Sequence, residues 1–383
     1  MDVLMGIVWL VLGVLLGGPF GVICAVLFQD RWKARVERRK RLHVANAITR
    51  MQHQGDGMIH IAGRPTTVHL VEGDGSLVLE PEHVDIDIQR DPVPLPPEVA
   101  AVRERVLREM DVDRGNSVGV VPTWNSKRLV ALRGYRISRT SRHEKSRMQL
   151  ETAPVDYATF CATVLRLDEE FERVDGSGAT VRTTLRRDYL TSDDAVVRPV
   201  PFLANGLGIA LLAFTDDDKV LLGRRRPTAR ARGGERDVSV VEGMHSKMDR
   251  NPDGSLSAYR TAVRGCEEEL GVQVEPADVR LLGFAVDMKY YQWNFYGRVN
   301  VRLSAAEVIE AQRLHAKDRW EAKLEPVDLD PEAIFERMRQ DGIWDTGLVA
   351  AYLALCSRLG PEPVRRAAER VFGAKPDHVP WRR

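Results

Sequence analysis

A continuous apolar run at the amino terminus is the longest hydrophobic feature of the chain. Residues 3–28 contain no charged side chain, and a helix of about 20 apolar residues is long enough to cross a bilayer. The next segment, 29–56, carries seven basic residues between positions 31 and 41, whereas only Asp2 precedes the run. Because basic residues stay on the cytoplasmic side, the pattern predicts a single-pass membrane protein. Its amino terminus would lie outside, its C-terminal domain would be cytoplasmic, and its helix would bind membrane lipid.

Short alternating strands follow the basic segment and predict a small β-rich module at residues 57–90. The strands are expected at 58–61, 67–72 and 76–80. Gly73-Asp74-Gly75 is expected to form a hairpin turn between the last two strands, because glycine adopts the positive φ that tight turns require. Four prolines then predict a stiff linker at 91–97, since proline restrains its own backbone and that of its neighbour.

Helical and strand periodicities alternate irregularly through the rest of the chain. They predict an N-terminal extension at 98–200, a main domain at 201–360 and a C-terminal tail at 361–383. A helix is predicted at 157–172 in the extension. Within the main domain the predicted order is β-β-β-α-β-β-β-α-α, with the first strand in the apolar run at 207–214 and two of the later strands at 291–296 and 299–303. This order favours an α+β fold, with a mixed sheet sandwiched by helices, over a doubly wound parallel sheet.

Composition restricts the partners and the compartment. The 383 residues include 56 Lys and Arg against 55 Asp and Glu, for a net charge of +1. This balance gives no general case for binding nucleic acid. The four cysteines, Cys24, Cys161, Cys266 and Cys356, have neither metal-site nor disulfide spacing. Their spacing therefore fits a reducing compartment.

The clearest candidate chemistry is the end of a helix predicted at 256–270. Its last turn carries Glu267, Glu268 and Glu269, where the helix dipole disfavours each anion by roughly 0.3–1 kcal/mol. A hard divalent cation bound through oxygen would compensate. Arg264 lies one turn before Glu268 and can pair with it. The alternative interpretation is a solvated acidic helix end.

The segment from Arg264 to Val272, which reads Arg-Gly-Cys-Glu-Glu-Glu-Leu-Gly-Val, resembles the second half of the Nudix box. A strand that ends at Gly243 precedes it, as in that family, and the resemblance extends over roughly residues 200–330. It implies a hydrolase that cleaves a nucleoside diphosphate linked to another group, with Mg²⁺ (or Mn²⁺) assisting the attack of water. Nudix-like domains often dimerise, which leaves a homodimer open.

Site roles follow from the same resemblance. The catalytic residues would be Glu268, Glu269 and Arg264, with the arginine orienting the glutamates. The implied metal ligands are Glu268, Glu269, the carbonyl group of Gly243 and, from a later loop, Glu321. Glu267, at the same helix end, is a further candidate metal ligand.

One position departs from the family pattern. The glutamate that follows the arginine in the family is Gly265 in this chain, so one carboxylate is missing. Glu267 is two residues further on and therefore about 200° round the helix. The remaining candidates to replace the missing group are Glu242, His245, Asp249, Asp287, Asp318 and Glu321.

Substrate-binding candidates lie before and after the box. Arg225 and Arg226 follow a predicted strand and can clamp phosphate groups. Tyr291 and Trp293 share one face of a late strand and can stack on a base or ribose, although core packing is the alternative. His245 lies close to Gly243 in the sequence and is the fifth candidate.

Three functions remain open from the sequence. The first is a hydrolase with a rearranged ligand set. The second is a nucleotide sensor that binds its ligand with slow cleavage or none, and the third is an interaction protein whose acidic helix end is only surface. An isopentenyl-diphosphate isomerase is disfavoured, because its required cysteine is absent from the segment 241–245.

Overall fold

The computed structural model describes residues 58–73, 75, 77–115, 128–138, 145–174, 176–191, 194–227, 233–318, 322–340 and 342–373. The strands among them are β1 Met58–Ile61, β2 Arg64–Glu72, β3 Val84–Ile88, β4 Leu129–Ser138, β5 Arg147–Val155, β6 Phe171–Val174, β7 Thr180–Thr183, β8 Gly208–Thr215, β9 Lys219–Arg225, β10 Arg236–Asp237, β11 Val240–Gly243, β12 Val279–Asp287, β13 Gln292–Val301 and β14 Ala322–Asp328. The helices are α1 Pro97–Gly115, α2 Tyr157–Thr163, α3 Leu185–Tyr189, α4 Asp194–Val197, α5 Ala258–Gly265, α6 Ala305–His315, α7 Pro331–Arg339, α8 Asp345–Leu359 and α9 Pro361–Phe372.

A nine-stranded sheet organises these elements. Its order is β1-β2-β12-β13-β8-β9-β10, with β11 paired to β8 and β14 paired to β9. The pair β13 and β8 is parallel, and the other pairs of this sheet are antiparallel. A three-stranded sheet, β3-β5-β4, and a two-stranded sheet, β6-β7, complete the described strands.

Helices cover both faces of the nine-stranded sheet around β8, which is buried along its whole length. Ala210 and Leu212 pack into one core with Leu348 of α8. Because alternate residues of a strand point to opposite faces, the other face is turned towards α5. There Gly265 lies against Val240 and Glu242 of β11. The chain is thus a mixed α/β protein with several sheets.

The structure contradicts the single-pass membrane topology predicted from the amino-terminal sequence. None of the helices among the described residues combines the length and hydrophobicity that crossing a bilayer requires. Even α1, with 19 residues, carries charged side chains such as Arg103, Glu104 and Arg105 along its length. The predicted span at 3–28 and the basic segment at 29–56 lie outside the described residues. The predicted single-pass localisation is therefore unsupported. The fold class that the structure shows is mixed α/β, without the predicted transmembrane helix.

Two glycines explain where the predicted strands differ from the observed ones. Gly297 does not separate two strands, because β13 continues through it. A Cβ at this residue would lie 2.2 Å from the carbonyl oxygen of Arg280, so glycine permits the close approach of β12. Gly73 likewise does not open a hairpin. Its φ is +87° and its backbone packs against Leu282 of β12, and residues 77–80 form no strand.

Strands β1 and β2 join the main sheet. Strand β2 pairs with β12, and the register places Leu70 opposite Ala285. Residues expected in a small module therefore contribute to the same sheet as β8 and β13. The helix expected at 157–172 is also shorter, since α2 ends at Thr163 and Phe171–Val174 forms β6.

Candidate metal centre and adjoining cavity

A π-helical turn ends helix α5. Ser257 caps the helix by accepting a hydrogen bond from the backbone N–H of Arg260. The five residues after α5, Cys266–Leu270, form the π turn. It ends at Gly271, which has the left-handed backbone conformation with a φ of 70°. Such turns are frequent at functional sites. This turn leaves Glu267 exposed and holds Glu268 and Glu269 partly buried.

Arg264 organises the site from the last α-helical turn. Its side chain is only 9% exposed. Its guanidinium group makes a two-point contact with Asp249, from Nε to Oδ1 at 2.8 Å and from Nη2 to Oδ2 at 2.9 Å. Its Nη1 atom lies 2.8 Å from Glu268 Oε2 and 3.0 Å from Glu242 Oε1. Although burial opposes its charge, the hydrogen bond with Asp249 and the charge of Glu242 raise the pKa of Arg264 above its usual value.

The carbonyl oxygen of Gly243 accepts a hydrogen bond from Arg264 Nη2 at 2.7 Å. The family resemblance assigns this carbonyl group to a metal ion. In the structure it is a partner of the arginine and links β11 to α5.

Asp249 is the buried anchor of the arginine, with a side chain 1% exposed. Its Oδ2 atom also accepts hydrogen bonds from Thr261 Oγ1 at 2.8 Å and from the backbone N–H of His245 at 2.7 Å. His245 Nδ1 in turn accepts from the backbone N–H groups of Lys247 and Met248. Burial and then the charge of Arg264 lower the pKa of His245. Asp249 and His245 thus hold the turn and the arginine.

Three carboxylates form what we call the acidic cluster: Glu242 from β11, Glu268 from the π turn and Asp318 after α6. One ligand oxygen from each lies within 4.8 Å of the others. Oxygen ligands from three separate elements fit a hard divalent cation. The cluster does not distinguish magnesium from other cations of this class.

The environment of Glu242 makes this carboxyl group harder to ionise when no cation is bound. Burial raises its pKa to about 7, and the charges of Glu268 and Asp318 act in the same direction, while Arg264 opposes them. A cation would reverse this balance, because it favours the ionised carboxylate.

Gly265 makes room for Glu242. A Cβ atom on Gly265 would lie 2.9 Å from Glu242 Cβ and 2.8 Å from Val240 Cγ1. Both neighbours sit close to the backbone of β11, so neither can move away easily. The missing helix carboxylate and the strand carboxylate therefore exclude each other in space. Glu242 is a candidate replacement that both contacts Arg264 and belongs to the acidic cluster.

A cavity of about 270 Å³ adjoins the acidic cluster at the end of the main sheet, and we call it the sheet-end cavity. Its polar lining includes Arg225, Gln292 and Asn294. Its remaining lining comes from Leu129, Tyr157, Phe160, Val164, Leu165, Gly206, Val241, Glu242, Gly243, Glu269, Tyr290 and Asp318. Glu269 Oε1 accepts a hydrogen bond from the backbone N–H of Val241 at 2.9 Å. Glu269 therefore lies at the cavity without joining the acidic cluster.

The remaining predicted ligands of the metal lie elsewhere. The side chain of Glu267 is 55% exposed and lies 3.7 Å from Lys317 Nζ. Asp287 is buried, where it accepts hydrogen bonds from Thr67 Oγ1 and Trp344 Nε1. Glu321 is outside the described residues.

Some of the predicted substrate-binding residues line the sheet-end cavity and others do not. Arg225 lines the cavity, and Arg226 is exposed at the end of β9. Tyr291 and Trp293 are fully buried, with ring centroids 6.0 Å apart. Trp293 also packs on Tyr135 and Phe284. These two aromatics belong to the core and are absent from the cavity lining.

Sequence reasoning missed the opposite face of the same strand. Gln292 and Asn294 alternate with the buried aromatics of β13 and line the cavity, and Tyr290 lines it from the turn before the strand. Strand alternation is the sequence signal that predicts a separate face for Gln292 and Asn294, opposite the face of Tyr291 and Trp293. The contribution of Tyr157 and Phe160 from α2 had no local signal, since it depends on tertiary packing.

We expect the Glu242→Gln variant to show how Glu242 affects stability. A carboxyl group whose pKa is raised in the folded state stabilises the fold at low pH and loses that contribution as pH rises through about 7. With a chelator present, the melting temperature of the wild type should therefore fall relative to Glu242→Gln between pH 5.5 and 8. Calorimetry at both pH values measures the gap, and a constant gap would contradict the prediction.

Comparisons with known proteins do not name a family. No protein-family model matches the sequence, and no curated protein matches it. Among solved structures, the crystal structure of DR0079 from Deinococcus radiodurans covers 48% of this chain and 97% of that chain, at 13% identity and a TM-score of 0.29. A likeness this weak carries no argument. The Nudix resemblance therefore stays a prediction from the residues between Arg264 and Val272.

Proposed function

We propose that the protein is a metal-dependent hydrolase of the Nudix type, which cleaves a nucleoside diphosphate linked to another group. The observation that carries this proposal is the acidic cluster, held by Arg264 beside a cavity that Arg225 also lines. A diphosphate substrate needs its negative charge neutralised and a water molecule directed at phosphorus. A bound divalent cation supplies the charge neutralisation and makes a bound water more acidic.

In this proposal, different residues bind the cation, position its ligands and bind the phosphate group. Glu242, Glu268 and Asp318 would bind the cation, either Mg²⁺ or Mn²⁺. Arg264 positions Glu242 and Glu268 through its two contacts from Nη1. Arg225 is placed to bind a phosphate group at the cavity, because a guanidinium group suits two-point contact with phosphate oxygens.

The test compares two neighbouring glutamates in the full chain. Wild type, Glu268→Gln and Glu267→Gln are incubated with dinucleotides and nucleotide sugars in the presence of Mg²⁺ or Mn²⁺. We expect hydrolysis by the wild type, loss in Glu268→Gln, and retention in Glu267→Gln, because Glu267 lies outside the cluster. Equal activity in both variants, or no metal-dependent hydrolysis of any member of the panel, would contradict the proposal.

One observation favours a nucleotide sensor as the second candidate. Glu268 already has two cationic partners, Arg264 at 2.8 Å and Lys317 at 3.2 Å, so part of its charge is neutralised without a metal ion. A sensor would bind the same nucleotides in calorimetry without releasing product. The Lys317→Met variant should then gain affinity for Mn²⁺, since it removes one competing cation.

A further inference from the structure

Asn294 is an unusual residue in the sheet-end cavity. It lies on β13, is 1% exposed, and neither its Oδ1 nor its Nδ2 atom has a hydrogen-bond partner among the described residues. Burying an amide without partners is unfavourable, and most buried polar side chains are satisfied. Such a group calls for an explanation, and its position in the cavity lining supplies one.

The neighbouring residues keep this amide unpaired. Asn294 is in register with Gly208 of β8, and a Cβ atom on Gly208 would lie 3.2 Å from Asn294 Oδ1. Glycine thus leaves the side chain unobstructed there. The hydroxyl group of the nearby Tyr296 donates to Thr346 Oγ1 at 3.3 Å. The amide therefore keeps one donor and one acceptor available at the cavity.

The cavity wall suits a flat, largely apolar ring. Tyr157 and Phe160 from α2 lie with ring centroids 5.8 Å apart and planes at 15°. Phe160 is held close to the sheet end, because a Cβ atom on Gly206 would lie 2.7 Å from its ring. Leu129 and Val164 add apolar surface. At about 270 Å³, the space is near the lower end of ligand cavities, which fits one ring system with its substituents.

We propose that the cavity takes the nucleobase of the ligand and that Asn294 is the residue that determines base specificity. The proposal rests on the proposed function for the position of the diphosphate, which would lie towards the acidic cluster. A side-chain amide presents a donor beside an acceptor. When the cavity wall fixes the orientation of the base, the amide selects the base that turns an acceptor beside a donor towards it, and it disfavours an edge that leaves either atom unpaired.

Binding can be measured without hydrolysis. The full chain is titrated with the four nucleoside 5′-monophosphates in calorimetry with a chelator present, and with the variants Asn294→Leu and Asn294→Asp. We expect the wild type to prefer one base by roughly 5- to 150-fold, the discrimination typical of a two-point base contact. Asn294→Leu should bind the four ligands about equally. Asn294→Asp should favour the base edge with two adjacent donors.

The stability of the ligand-free protein separates recognition from a structural role. Replacing an unsatisfied buried amide with leucine should raise the melting temperature. The control is Asn205→Leu, because Asn205 is equally buried and its Oδ1 atom also lacks a partner among the described residues, but its Nδ2 atom donates to Thr163 Oγ1 at 2.9 Å and to the carbonyl oxygen of Phe202 at 2.7 Å. Its melting temperature should fall.

The possible outcomes distinguish this inference from the proposed function. A base preference that Asn294→Leu abolishes supports the inference even if no hydrolysis is found. Hydrolysis that depends on Glu268, together with equal affinity of the wild type for all four bases, overturns the inference alone. A preference that Asn294→Leu retains, or a fall in its melting temperature with unchanged affinities, also overturns it.

Discussion

Replacing Arg264 with methionine is expected to lower the free energy of unfolding by about 3–5 kcal/mol, the usual cost of removing one partner of a buried ion pair. The variant would leave Asp249, whose side chain is 1% exposed, without the two contacts that balance its charge. It would also leave Glu242 and Glu268 facing each other without the shared cation. Most of the loss should therefore come from uncompensated charge and only a small part from lost packing.

Two further variants test that explanation. Arg260→Met changes an exposed arginine on the same helix, whose Nε atom donates to Asn251 Oδ1 at 3.2 Å, and should change stability by less than about 0.5 kcal/mol. Adding Asp249→Asn to Arg264→Met should recover part of the loss, since asparagine carries no charge and its oxygen can still accept from Thr261. Urea denaturation with a chelator present measures all three, together with Asp249→Asn alone. Additive effects in the double variant would show that the arginine acts without Asp249.

Many of the helices and strands can be predicted from the sequence, because the hydrophobic patterns that indicate them are local. The apolar run at 207–214 predicted β8, observed at Gly208–Thr215, and the helix expected at 256–270 corresponds to α5 with its π turn. Strand partners were not readable, because pairing depends on contacts distant in sequence. Thus β13 lies parallel to β8 and β2 lies beside β12, and no local pattern indicates either neighbour.

The candidate site shows the same limit. The pairing of Arg264 with Glu268 follows from helical spacing, and the two side chains lie 2.8 Å apart. The sequence left several groups open as replacements for the missing carboxylate. Only the fold separates Glu242 and Asp318, which join the acidic cluster, from Asp287, which is bonded to Trp344 in the core. Which carboxylate replaces the missing one depends on distances between helices and strands, and these distances cannot be predicted from local sequence patterns.

Restoring the glutamate of the family pattern at position 265 is expected to impair the site. In Gly265→Glu the new Cβ atom would lie 2.8 Å from Val240 Cγ1 and 2.9 Å from Glu242 Cβ. Overpacking of this kind costs about 1–3 kcal/mol, which exceeds the gain of about 1 kcal/mol from removing a glycine from a helix. The displaced strand should move Glu242 out of the acidic cluster. We therefore expect Mn²⁺ affinity in calorimetry to fall by at least about tenfold, the scale on which disturbed ligand support acts.

The exchange variant gives the decisive comparison. Gly265→Glu combined with Glu242→Gly moves the carboxylate from β11 to α5 and removes the collision with Glu242, although the contact with Val240 remains. Its Mn²⁺ affinity should exceed that of Gly265→Glu alone. Gly134→Ala is the control for glycine replacement, because a Cβ atom there meets no described atom within 4 Å, and its affinity should equal that of the wild type. If Gly265→Glu bound Mn²⁺ as tightly as the wild type, the two carboxylates would not exclude each other, and Glu242 would not be the group that replaces the missing one.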